Sequence, residues 1–295
     1  MNGRENQATR IHKDIDFFVE ALSFTAAQRT FPARLIEKDY FCSVLLSRLS
    51  AVNKKLVFKG GTCLAKVHAG FYRLSEDLDF VIPMDVAASR RERSRKVTGL
   101  KIAFSKLPHG ADCFEVVDPL TGANDSTQYA GSMRYVSRLS GQAETVKVEI
   151  SLREPLIKPF VAGQSQTLLL DPISGNPVVP PVTVPSIDRT EAFAEKFRAA
   201  MTRREVAIRD FYDIDYAVRM LGIKIQTTEF LGLVREKLAV PDNGPVSVGL
   251  DRLEQLRWQL AGQLKPVLRQ ADFNAFDLDN AFAIVTRVAQ AVCAQ

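Results

Sequence analysis

Hydrophobic positions recur at helical spacing over the first fifty residues. Ile15, Phe18, Val19 and Leu22 form one stripe between Ile11 and about Leu22; Leu35, Ile36, Phe41, Val44, Leu45 and Leu49 form another between Ala33 and Leu49. Two helices are therefore expected before the first strand, preceded by polar residues up to about Gln7 that should fray. The period then changes. Leu56-Val57-Phe58 reads as a short strand, Gly60-Gly61 breaks it, and Thr62 opens a helix-compatible segment ending near Gly70. Asp77 to Ile82 alternates polar and apolar and is closed by Pro83, which predicts a strand with both aspartates on one face. Cys113–Val117 and Met133–Val136 read as further strands separated by a loop at Gly122–Asp125. The cleanest alternation is ETVKVEISLRE, Glu144 to Glu154, with Val146, Val148 and Ile150 on one side and Lys147, Glu149 and Ser151 on the other.

Pro155 to Pro185 is extended and proline-rich, and marks the expected boundary between domains 1–185 and 186–295. Beyond it the pattern stays helical. Asp188 or Thr190 can cap a helix through Phe193, Lys196, Phe197 and Met201; Glu205–Leu221, Thr228–Leu238, Leu250–Leu268 and Ala281–Val292 follow, with Trp258 read as a core or helix-packing residue. The class is α+β, a mixed sheet with flanking helices followed by a helical bundle that closes over one edge of the active-site cleft.

Composition adds little. Of 295 residues, 39 are Lys or Arg and 34 Asp or Glu, a net charge of +5 compatible with a nucleic-acid partner but not diagnostic of one. Cys42, Cys63, Cys113 and Cys293 have no paired spacing, which argues against a zinc site or a disulfide framework and fits a reducing cytoplasm. No signal pattern or membrane-spanning apolar run is present, so a soluble cytoplasmic protein is expected. The most basic run, Ser89 to Lys96, reads either as a solvated helix face or, beside the aspartate strand, as a contact to an RNA backbone.

The chemistry lies between Leu56 and Ile82. A Gly60-Gly61-Thr62 turn opening a helix offers close backbone approach and unpartnered N–H groups, which suit phosphate oxygens. Asp77 and Asp79 on one strand face repel each other unless a shared cation holds both ionised, and oxygen-only ligands favour Mg²⁺ or Mn²⁺ over zinc. Within Glu205–Leu221 the spacing puts Arg209, Asp210 and Asp213 on a shared face, a possible surface salt-bridge set. Glu37-Lys38-Asp39-Tyr40 reads as an exposed charged turn of helix.

Phe58-Lys59-Gly60-Gly61-Thr62 followed by Arg73-Leu74-Ser75-Glu76-Asp77-Leu78-Asp79-Phe80 resembles the AbiE-type nucleotidyltransferase toxins of abortive-infection and toxin–antitoxin systems, with Gly61-Thr62 where the wider superfamily has Gly-Ser. The likeness runs from about Leu35 to Leu221 and includes Glu195-Lys196 and Arg209-Asp210-Phe211-Tyr212-Asp213. It implies a nucleotidyltransferase-like sheet and transfer of a nucleoside monophosphate from Mg-NTP. Asp77 and Asp79 would hold the metal, with Glu149 as a third carboxylate. Lys59, the glycine turn and Arg209 would lie at the nucleotide, Lys196 would neutralise the pyrophosphate, and Asp210 or Asp213 would orient it or the acceptor. It further implies tRNA as acceptor, modified at its 3′ end, and a cognate antitoxin. The alternatives are transfer to a protein or small molecule, or a noncatalytic partner-binding protein of the same fold.

Overall fold

The computed structural model describes residues 10–110 and 112–294; the polar segment up to Gln7 lies outside them. The chain divides into two compact units, Met1–Leu156 with Phe160–Ile187, and Ile157–Pro159 with Asp188–Gln295.

The first unit is built on a seven-stranded mixed sheet. Its strands are β1 (Val57–Lys59), β2 (Leu78–Val81), β3 (Glu115–Ala123), β4 (Gln128–Val136), β5 (Ala143–Ser151), β6 (Val161–Ser165) and β7 (Val182–Ser186), in the order β3-β4-β5-β2-β1-β7-β6. β2 is central, antiparallel to β1 and parallel to β5. Helices α1 (Ile15–Arg29) and α2 (Ala33–Val52) precede β1, and α3 (Gly60–Cys63), which widens into a π turn over Leu64–His68, lies between β1 and β2; α4 (Arg90–Gly110) follows β2.

Strand register sorts the residues by sheet face. Leu78 pairs with Val148, Phe80 with Ile150, and Ile150 in turn with Tyr129, so these share one face with Met133 and Tyr135, all nearly inaccessible to solvent. α2 covers this face through Phe41, whose ring stacks on Tyr135 at 3.9 Å. α4 covers it as well: Val97, Leu100, Phe104 and Leu107 are buried at helical spacing, and Lys101 lies over the Tyr129 ring at 4.9 Å. The basic run therefore sits behind the sheet, on the face opposite Asp79 and Glu149. Charge spacing placed it beside the aspartate strand because sequence does not reveal which face a helix covers.

Two more expectations change. The proline-rich stretch is not merely a boundary: it supplies β6 and β7, which pair over Val161–Ser165 and Val182–Ser186. Pro185 is tolerated because β7 meets β1 only at Ser186, while the Ile187 N–H donates to the Phe58 carbonyl at 2.9 Å. Glu37, Asp39 and Tyr40 are buried rather than an exposed turn. Glu37 accepts from the Ser137 hydroxyl and the Arg138 N–H, both at 2.6 Å, and Asp39 pairs with the buried Lys66 at 2.5 Å and accepts from the Leu168 N–H.

The second unit contains α5 (Arg189–Thr202), α6 (Ile208–Arg219), α7 (Thr228–Ala239), α8 (Leu250–Gln259), α9 (Gln270–Ala275) and α10 (Leu278–Cys293). Asp188 caps α5 by accepting from the Thr190 and Glu191 N–H groups. Helix α6 begins at Ile208 rather than Glu205, its first N–H held by the Gln259 side chain at 2.8 Å. Phe211 stacks on Phe282 of α10. Trp258 is not a core residue: it is 87% exposed. The buried stripe of α8 runs through Arg252, Leu253 and Leu256, and Trp258 lies across the helix from it.

Candidate active site

The glycine turn and the aspartate strand are built as one piece. Gly60 has φ +76°, and a Cβ there would overlap the Asp79 carboxylate; a Cβ on Gly61 would stand 2.5 Å from the Arg73 guanidinium and 3.0 Å from the Ser75 hydroxyl. Both glycines are thus required by close approach, one by Asp79 and the other by the Arg73-Leu74-Ser75 segment. Thr62 is buried and donates to the Asp77 carbonyl at 2.5 Å, so its hydroxyl ties the turn to the start of β2. The Lys66 ammonium, which also reaches the Ser43 hydroxyl and the Asp39 and Gln166 carbonyls, fastens the following π turn to α2.

Across the sheet, Asp79 is opposite Lys59 on β1 and Glu149 on β5, which places all three on the same face. Asp77 lies one residue before β2. Glu149 accepts from Gln128 and pairs closely with Lys147, which shares its side of β5. Desolvation holds the Asp77 carboxyl above the usual carboxylate range; Lys38 and Lys147 oppose this, while Glu76 and Glu149 add to it. Lys147 is pushed up by its hydrogen bond to Glu149 and by the Asp77 and Asp79 charges. The set is carboxylate-rich, and Lys38 and Lys147 both act on it.

These residues fit a hard divalent cation. Their donors are all carboxylate oxygens, mutual repulsion among them is relieved by an added positive charge, and Gly60 itself sets no side chain against the Asp79 carboxylate. Among the described residues no three His, Cys, Asp or Glu side chains gather as a complete metal site.

In the second unit Lys196 is clamped between two aspartates, with its Nζ 2.8 Å from Asp210 Oδ1 and 2.8 Å from Asp213 Oδ2. Arg203 approaches the other Asp210 oxygen at 3.0 Å. Both aspartates are buried, so this is not a salt-bridge set on a helix surface. Both aspartates hold the lysine. Arg209 directs its Nε to the Gln263 carbonyl at 3.3 Å.

The family model of the nucleotidyl transferase AbiEii toxin, type IV toxin–antitoxin system, matches residues 44–286. The chain belongs to the AbiEii family. That range takes in the glycine turn, the aspartate strand, Glu149 and the Lys196 clamp. No curated protein sequence matches. Among solved structures, JHP933 from Helicobacter pylori aligns over 89% of this chain and 93% of its own at 16% identity, with a TM-score of 0.52. A candidate nucleotidyltransferase from H. pylori covers 83% and 89%, also at 16% identity, with a TM-score of 0.48. The first of these likenesses supports the shared fold.

Four residues of this AbiEii chain gain structural roles beyond those read from the sequence. Arg73 and Ser75 pack on Gly61. Lys38 pairs with Glu76 at 2.9 Å and faces the Asp77 charge. Lys147 is the one with a signal in the sequence, since the alternation that turns Glu149 outward turns Lys147 outward two residues earlier.

Proposed function

We propose that this AbiEii chain transfers a nucleoside monophosphate from an NTP to the 3′ end of tRNA, blocking translation and growth until a cognate antitoxin neutralises it. The observation that carries the transferase reading is the register of Asp79 between Lys59 and Glu149, with Gly60 packed against its carboxylate. Asp77 and Asp79 would hold Mg²⁺ or Mn²⁺, with Glu149 as the third carboxylate. When bound, the cation would neutralise the triphosphate and make the α-phosphorus a better electrophile.

The chain's own groups do the rest. The Gly60-Gly61 backbone approaches the phosphates without side chains in the way. Lys59, opposite Asp79, adds positive charge on the same sheet face. Lys147 holds Glu149 by an ion pair, and when the phosphates draw the ammonium away, Glu149 is released to accept a proton from the attacking hydroxyl. Lys196 is the cation assigned to the leaving pyrophosphate, with Asp210 and Asp213 fixing its ammonium and Arg209 at the nucleotide. Positioning and charge stabilisation suffice for phosphoryl-type transfer, so no covalent residue is required. RNA as acceptor, the antitoxin and the effect on growth rest on the kinship with type IV toxins.

The test is incubation of purified protein with each α-³²P-labelled NTP, Mg²⁺ and total tRNA, beside folded Asp77→Ala and Lys196→Ala variants. Label in tRNA with wild type and in neither variant is expected. Label in protein or a small molecule instead overturns the acceptor; no label anywhere, together with no NTP binding, overturns the transferase.

A further inference from the structure

Helix α4 carries more charge than the whole protein. Arg90–Gly110 holds seven Lys or Arg and one Glu, a net +6, against +5 for the entire chain. Arg93 is buried and donates to the Val86 carbonyl, and Lys101 lies on Tyr129. The remaining cations, Arg90, Arg91, Arg95, Lys96 and Lys106, are not spent on folding: apart from Lys101 and Arg93 the basic residues of α4 are exposed, and none enters an ion pair among the described residues. Arg91, Arg95, Gly99, Ile102 and Lys106 line up along the side of α4 opposite its buried stripe.

Stability does not account for this arrangement. Five cations fall in the first two turns, where the helix dipole disfavours positive charge, and Arg91 and Arg95 are like charges one turn apart. Ser89 and Glu92 form a capping box, the Glu92 carboxylate accepting from the Ser89 N–H and hydroxyl at 2.7 Å, and Glu92 is the sole acid on the helix. Gly99 is also unexplained by packing: it lies inside a helix, and a Cβ there would meet nothing. A glycine in the middle of a basic stripe lets a rigid polyanion come close to the helix backbone.

We propose that the outer face of α4 is a docking surface for an RNA backbone. It takes the RNA acceptor proposed above and says where on the chain that RNA is held. A phosphodiester chain fits better than an acidic protein. Ile102 is the single exposed large apolar residue of the stripe, and protein interfaces have an apolar centre that this face lacks. No exposed Phe, Tyr or Trp is present on this face to read bases, so what it offers is charge for a backbone. Because α4 lies behind the sheet from Asp79 and packs on the edge strand β3, the docked body must send its reactive end around that edge. A single-stranded 3′ terminus can do so.

The experiment measures fluorescence anisotropy of labelled tRNA with the full chain, without NTP or metal, across a salt series. In Arg91→Glu/Arg95→Glu/Lys106→Glu, affinity should fall at least about tenfold and the slope of log K against log salt should shrink by about 2 to 3. The melting temperature should not drop. Gly99→Ala should weaken RNA binding while raising the melting temperature. Unchanged affinity and slope in the triple variant would overturn the inference, as would competition by polyglutamate equal to that by RNA at matched charge. If the wild type binds no RNA yet labels another acceptor, the surface fails and the transferase stands; RNA bound through α4 with no nucleotide transfer is the reverse.

Discussion

The two carboxylate groups of this protein use the same residue types and reach opposite states. Asp210 and Asp213 are buried against Lys196 and Arg203, two negative charges facing two positive ones within 3.0 Å. Asp77, Asp79 and Glu149 are more accessible, with Lys147 paired to Glu149 and Lys38 facing Asp77. The first group is closed, and its burial makes each partner necessary to the others. The second is more accessible to solvent, so a cation from outside can reach its carboxylates. A catalytic site needs the second condition; a group that only orients a lysine needs the first.

The sharpest way to break this contrast is Asp79→Asn. Removing one carboxylate from the open group should lower nucleotide transfer by about 10³-fold, in the range of losing a preorganised charge contact. The melting temperature should change little beside that loss. A clear fall in melting temperature would mean Asp79 is structural, and the distinction fails. Lys196→Met is the counterpart. It takes the shared ammonium away from two buried aspartates, leaving Arg203 on Asp210, and should cost about 3–5 kcal/mol in urea unfolding. A loss below about 1 kcal/mol would show the clamp to be no more than a surface pair.

Next in size is the response to metal. Mn²⁺ at 100 times its dissociation constant should stabilise the wild type by about 2.7 kcal/mol, and Asp77→Asn should abolish most of that. The sign of the pH dependence follows from the raised Asp77 carboxyl. A raised folded value favours the protonated form, so ionised Asp77 weakens the fold as pH rises through that value, and the metal, which needs the ionised form, offsets it. Stabilisation by Mn²⁺, read by thermal denaturation, should therefore grow with pH through the range just above ordinary carboxylates. A response that is flat, or larger at low pH, would remove Asp77 from the metal.

Much of the open site was legible in the sequence. Period-two alternation assigned Val146, Val148 and Ile150 to the core and Glu149 to the outer face, and Gly60-Gly61 with Asp77 and Asp79 stood close enough in the chain to be read together. What escaped depends on partners far along the chain. Glu37 answers to Ser137 and Arg138, and Asp39 to Lys66 and Leu168, none within reach of a local pattern, so a buried polar scaffold looked like an exposed charged turn. The burial of Asp210 and Asp213 hid for the same reason: spacing shows a shared helix face, but not what lies against it. The position of α4 behind the sheet required the strand order, which no local period encodes.

Helix α8 repeats the lesson at the smallest scale. By residue type Trp258 belongs inside and Arg252 outside, yet Trp258 is 87% exposed and Arg252 is 7% exposed, its guanidinium donating to the Ala200 and Arg203 carbonyls near the end of α5. Those carbonyls have no helical partner ahead of them, so the buried guanidinium completes α5. Arg252→Ala should cost about 1–3 kcal/mol by leaving the carbonyls unmet. Trp258→Ala should change stability by less than about 0.5 kcal/mol, as expected for a side chain that packs on nothing. Parallel urea titrations of the two variants decide it. If Trp258→Ala proves the more costly, exposure has been misassigned on α8, and the argument that surroundings rather than residue type set each group's role loses its cleanest case.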